Sequence, residues 1–196
     1  MDDHALVERA RTGDLGAVET LLQRHQAAAY TAALRLLGEP ADAEDVAQEA
    51  LVKAYTRIAD LREGATFGPW LRRIAINLSL NALRRRGLLQ FESLERQPGG
   101  NASSGDRELV DERQQSPEDE VMSRALREEV QALLHRLPVE QRVAVVLRDM
   151  YDFDVSEIAE SQRCGISAAK MRITRGRAQL RRLLGEASLM PAARGD

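Results

Sequence analysis

Five side chains in one segment have the residue types and the spacing of a nucleic-acid contact. The segment, residues 66–86, reads TFGPWLRRIAINLSLNALRRR and contains the chain's only tryptophan. An aromatic ring, two amides and two guanidinium groups recur there every three or four residues and so share one line of a helix: Trp70, Arg73, Asn77, Asn81 and Arg84. We call this line the polar stripe. Rings stack on unpaired bases, amides bond base edges and arginines hold phosphates, so the pattern predicts a single-stranded nucleic-acid site. A solvated helix face around a half-buried tryptophan is the alternative.

The helix that carries the stripe must also pack against a core. Thr66 can act as its N-cap, and Pro69 falls in the first turn, so the helix is predicted to start near Phe67. A second set of residues at the same spacing is apolar and predicts the buried side: Phe67, Leu71, Ile74, Ala75, Leu78 and Ala82.

Composition restricts the class of protein. The chain has 196 residues, of which 43% are hydrophobic, 30% charged and only 4% aromatic, so its cores must be built from aliphatic residues in packed helices. There is one cysteine, and the three histidines are scattered, so we expect no disulfide, metal or cofactor. The amino terminus lacks the apolar core of a signal peptide, and no apolar run approaches the ~18 residues of a membrane span. These features predict a cytoplasmic all-α protein.

Charge and turn residues predict two domains. The net charge is −3, but residues 87–120 hold 9 acids and 3 bases and include Gly- and Ser-rich stretches. Such a segment cannot support a core, so residues 88–120 are predicted to be a flexible acidic linker between domains at 1–87 and 121–196. In the first domain, one predicted helix begins with more acidic and amide groups than its dipole needs: Asp42, Glu44, Asp45, Gln48 and Glu49.

The second domain contains a predicted helix-turn-helix. Asp154 and Glu157 have capping-box spacing before a short helix, and a turn over residues 161–165 leads into a longer helix. Ala169, Ile173, Leu180 and Leu184 are predicted to face the core. Lys170, Met171, Thr174 and Arg175 are predicted on the opposite side, about 160° away, where a recognition helix faces the DNA groove. A solvated basic helix is the alternative.

Together these segments resemble an extracytoplasmic function (ECF) sigma factor. The resemblance rests on DAEDVAQEALVKAY, FGPWLRRIAINLSLNALRRR, the acidic linker, and LPVEQRVAVVLRDMYDFDVSEIAE followed by KMRITRGRAQLRRLL. It covers nearly the whole chain, and the order of the motifs is more specific than any one of them. It implies a promoter-specificity subunit of bacterial RNA polymerase that starts transcription of a stress or envelope regulon.

The resemblance also implies roles for particular residues. The five polar residues from Asp42 to Glu49 would dock on the clamp helices of the β′ subunit, and the second domain would meet the β flap. The −10 element would be opened and bound by Thr66, Phe67 and the polar stripe. The −35 element would be read in duplex DNA by Lys170, Met171, Arg172, Thr174, Arg175 and Arg177. The linker would follow the RNA exit path, and an anti-sigma protein, possibly membrane-bound, would be a further partner.

The chain departs from the family pattern at several positions. Asn81 stands where the family usually has Asp, and Met171 and Thr174 replace bulkier or more polar groups. Gln162-Arg163 replaces Leu-Gly in the turn, which we expect to be reshaped because arginine tolerates a positive φ poorly. Gly165 replaces a serine cap, and Cys164 is expected to be a small buried hydrophobe.

Three other classes of protein fit the sequence less well. A helix-turn-helix repressor would leave the acidic cluster and the polar stripe unexplained, and a helical interaction protein would need neither basic face. For an enzyme, the sequence offers no nucleophile with a base, no metal cluster and no phosphate-binding loop.

Overall fold

The structure is a computed structural model that describes residues 2–61, 66–89 and 117–189. Within these ranges the chain is helical and contains no strand, as predicted. The first four helices are α1 (Asp3–Arg11), α2 (Leu15–Leu37), α3 (Pro40–Arg57), which a 3-10 turn (Ile58–Asp60) follows, and α4 (Phe67–Arg85). The last four are α5 (Pro117–His135), α6 (Val139–Val145), which continues into a π-helical turn (Val146–Met150), α7 (Val155–Ser161) and α8 (Ile166–Leu189). Helices α1–α4 form one compact unit and α5–α8 another.

The first unit is a helical bundle whose helix ends follow the predicted caps. The Asp14 carboxylate accepts a hydrogen bond from the Ala17 amide at the start of α2, and Gly38 ends α2 with a φ of 91°. Helix α2 packs against α1, α3 and α4, and α3 packs against α4. Aliphatic side chains of α2 and α4, including Leu21, Leu36 and Leu71, are fully buried between the helices. The core is therefore aliphatic, as the small number of aromatic residues predicts.

The predicted linker lies mostly outside the described residues. The structure describes neither residues 62–65, which belong to the predicted loop before α4, nor residues 90–116. Helix α5 begins at Pro117, four residues before the predicted start of the second domain. The difference has a local cause, because proline suits the first helical position and the acids that follow it suit the positive end of the helix dipole.

The second unit contains the predicted helix-turn-helix. Asp154 and Glu157 form the capping box of α7: each side chain accepts a hydrogen bond from the other residue's amide, at 2.8 Å and 2.9 Å. Helices α6 and α8 cross closely at Gly176, where an added Cβ would lie 2.5 Å from Cγ2 of Val145. The glycine thus sets how near α8 lies to α6.

No helix in the described ranges combines the length and the apolarity of a membrane span.

The turn between α7 and α8 differs from the prediction. Arg163 adopts a φ of 48°, so the turn keeps a left-handed residue despite the side chain at that position. The amides of Arg163 and Cys164 donate to the carbonyls of Glu160 and Ala159, which closes the end of α7. The chain therefore accepts backbone strain at Arg163 instead of reshaping the turn. Cys164 is half-buried, where a buried side chain was expected.

The strain at Arg163 predicts a stabilising substitution. Arg163→Gly should raise the free energy of unfolding by about 0.5–1 kcal/mol, because glycine adopts this φ without the clash of a Cβ. Urea unfolding of the full chain, followed by circular dichroism, measures the change. Arg163→Ala is the matched control: it removes the same side-chain contacts but keeps the Cβ. An equal gain for both variants would show that the side chain, not the backbone, causes the effect.

Candidate nucleic-acid and polymerase interfaces

Helix α4 buries more of its surface than its apolar periodicity predicts. Its ten buried residues are Phe67, Gly68, Leu71, Ala75, Ile76, Leu78, Ser79, Leu80, Ala82 and Leu83. At 3.6 residues per turn they cover about 220° of the helix circumference. Ile74, which was predicted to be buried, is half-buried, whereas Ile76, Leu80 and Leu83 were not predicted. A single arc of α4 is therefore left at the surface.

The polar stripe lies in that remaining arc. Asn77 and Asn81 are exposed, and Trp70, Arg73 and Arg84 are half-buried. Nη1 of Arg84 donates to Oδ1 of Asn81, so the amide where the family has a carboxylate still orients this arginine. The structure thus presents an aromatic ring, amides and guanidinium groups along one line.

The two predicted −10 contacts at the start of α4, Thr66 and Phe67, differ in exposure. Thr66 is exposed at the N-cap position, but its side chain makes no capping hydrogen bond. Phe67 is completely buried, which corrects its prediction as a direct −10 contact. Its ring belongs to the core, and the ring at the surface is that of Trp70.

The predicted polymerase contacts form an acidic surface on α3. Glu44, Asp45, Gln48 and Glu49 are exposed, and Val46 and Ala50 turn into the core on the opposite side. Glu49 forms an ion pair of 2.8 Å with Lys53, one turn further along. The other carboxylates of this surface, Glu44 and Asp45, lie in the second turn of α3, beyond the first turn in which the helix dipole acts most strongly.

Asp42 has a different environment from the rest of the predicted docking set. It is half-buried and accepts two hydrogen bonds from Arg86, the residue after α4, one of them 2.6 Å long. The hydrogen bonds from Arg86 hold the pKa of the Asp42 carboxyl below its usual value. Asp42 therefore ties the start of α3 to the end of α4, whatever else it contacts.

Two apolar residues on α3 were missed by the sequence analysis. Val52 is 63% exposed and Tyr55 is 51% exposed. At 3.6 residues per turn they fall within about 80° of arc that also contains Glu44 and Gln48. The spacing of this apolar pair on an otherwise charged helix face is visible in the sequence, and exposed apolar patches are typical of protein interfaces when they are large enough.

Helix α8 separates a buried side from an exposed side, as a recognition helix does. Ala169, Ile173 and Leu183 are buried, whereas the predicted groove-facing residues Lys170, Met171, Thr174 and Arg175 are all exposed. One prediction for the buried side is wrong: Leu184 is 47% exposed and Leu183 takes its place. Ser167 is exposed in the first turn on the groove-facing side and was not predicted as a site residue.

Arg177, another predicted −35 contact, is exposed but already has a partner. Its Nε donates to the Asp149 carboxylate at 3.0 Å, and its Nη2 donates to the same group. The hydrogen bond to Asp149 raises the pKa of Arg177. The pair joins α8 to the π-helical turn, so Arg177 contributes to the packing of the unit and has only part of its guanidinium available for DNA.

Arg172 corrects the predicted DNA-binding set. It is 9% exposed, and its guanidinium points into the unit, where Nη1 donates to Oε1 of Gln162 at 2.9 Å and Nη2 lies 3.2 Å from Oε1 of Glu140. Gln162 is itself buried and donates to the Glu140 carbonyl at 2.8 Å. We call Glu140, Gln162 and Arg172 the buried triad. It links α6, the turn and α8, so Arg172 helps to hold α8 in the unit and does not lie on the exposed side of that helix.

Comparison with known proteins identifies the family. Sigma-70 region 2 matches residues 21–88, and Sigma-70, region 4 matches residues 127–180. The RNA polymerase sigma-H factor of Pseudomonas aeruginosa is 33% identical over 180 residues, which cover 89% of this chain and 90% of that protein. The ECF RNA polymerase sigma-E factor of Haemophilus influenzae is 32% identical over 182 residues, which cover 90% of this chain and 92% of the relative. The chain belongs to the ECF RNA polymerase sigma factors.

The resemblance found in the sequence is thereby confirmed. As an ECF sigma factor, the chain is a promoter-specificity subunit of RNA polymerase. The sigma factor RpoE from Bartonella quintana, solved in complex with the anti-sigma factor NepR, shares the fold with a TM-score of 0.51. It is 24% identical, and the match covers 85% of this chain and 96% of that one. In the present chain, the region 2 match falls in the unit of α1–α4 and the region 4 match falls in the unit of α5–α8.

The buried triad predicts different consequences for Arg172 and its exposed neighbour Lys170. Arg172→Met should lower the stability of the second unit by about 1–3 kcal/mol, because it leaves the buried side-chain oxygen of Gln162 without its donor and removes the ion pair with the half-buried Glu140. Lys170→Met, on the exposed side, should change stability by less than about 0.5 kcal/mol.

Urea unfolding with two probes locates the effect. The only tryptophan, Trp70, lies in the first unit, so its fluorescence reports on that unit, whereas circular dichroism reports on both. Arg172→Met should shift the circular dichroism transition and leave the tryptophan transition in place. Wild-type unfolding together with weaker DNA binding would instead assign Arg172 to a phosphate contact.

Proposed function

We propose that the first unit of this sigma factor docks on core RNA polymerase through α3 and opens the −10 element with the polar stripe of α4. The second unit reads the −35 element with the exposed side of α8. The observation that carries the proposal is the arrangement of α4, which buries about 220° of its circumference and keeps the ring, the amides and the arginines in the arc that is left. Packing of the core alone does not require a tryptophan at a half-buried position in this arc.

The surface of α3 that docks on the clamp helices combines charged and apolar side chains. It consists of Glu44, Asp45, Gln48 and Glu49 together with Val52 and Tyr55. Carboxylates favour a basic partner and speed its approach, and the apolar pair provides area to bury on contact. Asp42 supports this surface through its ion pair with Arg86.

The −10 site uses the stripe in three ways. Trp70 stacks on an unpaired base, Asn77 and Asn81 bond base edges, and Arg73 and Arg84 hold phosphates, with Thr66 at the entrance of the helix. Single-stranded DNA suits this site because the Trp70 ring can stack only on a base that has left the duplex stack, and the amides can then reach its free edge. The stripe therefore acts when the strands separate.

The −35 site uses four residues that the structure leaves exposed on α8: Lys170, Met171, Thr174 and Arg175. Arg175 has the fork geometry that pairs with a guanine edge, and Lys170 is a point charge suited to a phosphate. Met171, 48% exposed, has no hydrogen-bonding group to offer a base edge, so in the groove it fits a thymine methyl. We add the exposed Ser167 to this surface and remove the buried Arg172 from it.

The proposal has further parts that follow from the family. RNA synthesis is carried out by the polymerase, and the sigma factor itself performs no catalysis. The acidic linker follows the RNA exit path, and region 4 meets the β flap. An anti-sigma protein holds the factor inactive in the cytoplasm; for comparison, the sigma factor RpoE was solved in complex with the anti-sigma factor NepR.

The docking assignment predicts a loss of polymerase binding on charge reversal. Asp45→Arg combined with Glu49→Arg should abolish co-purification with core polymerase, because two favourable charges become repulsive at the contact. The side chains are exposed, so stability should change little.

A matched control has the same change in net charge. Glu8→Arg combined with Glu19→Arg alters exposed residues of α1 and α2, away from the acidic surface, and should leave binding intact. If both double variants bind polymerase equally well, the acidic surface of α3 is not the docking site.

The −35 assignment predicts that two basic residues of α8 fail in different ways. Arg175→Ala should relax specificity at one base pair, at a cost of about 1–3 kcal/mol for the preferred base. Lys170→Ala should weaken binding to all sequences alike and lower the salt slope by about one unit.

Competition binding of the complete holoenzyme to single-base −35 variants, over a series of salt concentrations, separates the two effects. Arg9→Ala, which removes an exposed cation of the first unit, controls for the change in net charge. Equal losses of affinity on every variant for Arg175→Ala would make Arg175 a phosphate contact.

A further inference from the structure

The tryptophan of the polar stripe is supported by a line of side chains that begins in α1. The Trp70 ring contacts the buried Phe67 ring, with centroids 5.7 Å apart and planes tilted by 55°. The Phe67 ring in turn contacts the imidazole of His25 from α2, with centroids 5.6 Å apart. Nε2 of His25 lies 2.6 Å from Oδ2 of Asp3 in α1. Three helices thus contribute to the support of one half-buried ring.

His25 also fixes the first turn of α4. An added Cβ at Gly68 would lie 2.8 Å from Nδ1 and 2.9 Å from Cε1 of His25, closer than side chains approach one another. The imidazole is thus in direct contact with the backbone of the turn that carries Phe67 and precedes Trp70. Glycine at position 68 is what lets the imidazole come so close.

Asp3 holds the imidazole in this position. Partial burial raises the pKa of the Asp3 carboxyl, but the hydrogen bonds from His25 and Arg24 together lower it by more. The pKa of Asp3 is therefore below its usual value. Asp3 is therefore ionised at neutral pH and accepts the hydrogen bond from Nε2 of His25. That bond restricts rotation of a ring whose Nδ1 edge faces Gly68, and a charge-assisted hydrogen bond is stronger than a neutral one.

We propose that His25, held by Asp3, is a positioning residue for Trp70 in the opening of the −10 element. The inference rests on the proposed role of the polar stripe. Stacking on an unpaired base requires the ring to be in place when the base leaves the duplex, and a group held by its surroundings loses less freedom on binding. The Asp3–His25 pair provides that support from outside α4.

The single tryptophan gives a direct measurement in the free protein. His25→Ala should increase acrylamide quenching of Trp70 about twofold and shift its emission to longer wavelength, because the Phe67 ring loses its neighbour. Asp3→Asn keeps the shape of the side chain but removes the charge, and should give a smaller change in the same direction. Arg24→Ala is the matched control: it removes the other partner of Asp3, at 2.9 Å, and should leave the emission unchanged.

The second measurement compares opening on two templates. With holoenzyme on duplex promoter DNA, His25→Ala should slow open-complex formation by about three- to tenfold, a part of what a base stack contributes. A template with a pre-melted −10 region should restore most of the rate, and core binding should match that of the wild type. His25→Phe, which restores a ring beside Phe67 without the bond to Asp3, should recover part of the loss.

The outcomes separate this inference from the proposed function. Trp70→Ala with normal opening would overturn the −10 assignment itself. Defective opening for Trp70→Ala, but wild-type opening for both His25→Ala and Asp3→Asn, would overturn only the positioning role. An equal defect on duplex and pre-melted templates would also overturn the positioning role. Such a result would indicate a general loss of structure, which affects both templates alike. If His25→Ala does not fold, Asp3→Asn carries the same comparison.

Discussion

Helix α4 has to bury most of its circumference between its neighbours and still keep one narrow arc for function. Ten buried residues pack it against the rest of the first unit, and the five residues of the polar stripe occupy what is left. Because the buried arc is so wide, α4 cannot rotate about its axis without exposing leucines or burying arginines. The core therefore fixes the direction of the stripe, and the packing of α4 is itself part of the site.

The sequence predicts those parts of the structure that follow from local rules. The caps at Asp14 and Gly38 and the capping box at Asp154 are present, because each depends on residues a few positions apart. The all-α fold, the helix-turn-helix and the exposed side of α8 follow from periodicity in the same way.

Residues whose environment depends on distant contacts were predicted poorly. Arg172 has the composition of a DNA contact, but Glu140, 32 positions earlier in the chain, draws it into the core. Leu183 and Leu184 are equally apolar, and only the path of α8 over α5 decides which of them is buried. His25 has no partner nearby in sequence, since Asp3 and Phe67 reach it from other helices. Periodicity carries no information on such contacts.

Arginine–carboxylate pairs divide the cations of this sigma factor into two groups. Arg86 is held by Asp42, Arg177 by Asp149, and Arg172 by the buried triad. The two exposed pairs, Arg86–Asp42 and Arg177–Asp149, contribute little to stability, so their effect lies more in orientation. Arg175, by contrast, lies on the exposed side of α8, among the residues assigned to the −35 element. With a net charge of −3, DNA binding depends more on where the cations lie than on their total.

The acidic surface of α3 gives the two proposed functions of the first unit a physical connection. Glu44, Asp45 and Glu49 repel DNA phosphates as long as they face solvent, and they belong to the same unit as the polar stripe. On the proposed assignments, a basic partner on α3 would neutralise this repulsion, and docking would then raise the affinity of the stripe for a DNA strand. By linkage, DNA bound to the stripe raises the affinity for the partner by the same factor. On these assignments, the sigma factor would bind promoter DNA weakly alone and more strongly on the polymerase, because the carboxylates that dock on the polymerase also repel DNA when they are not docked.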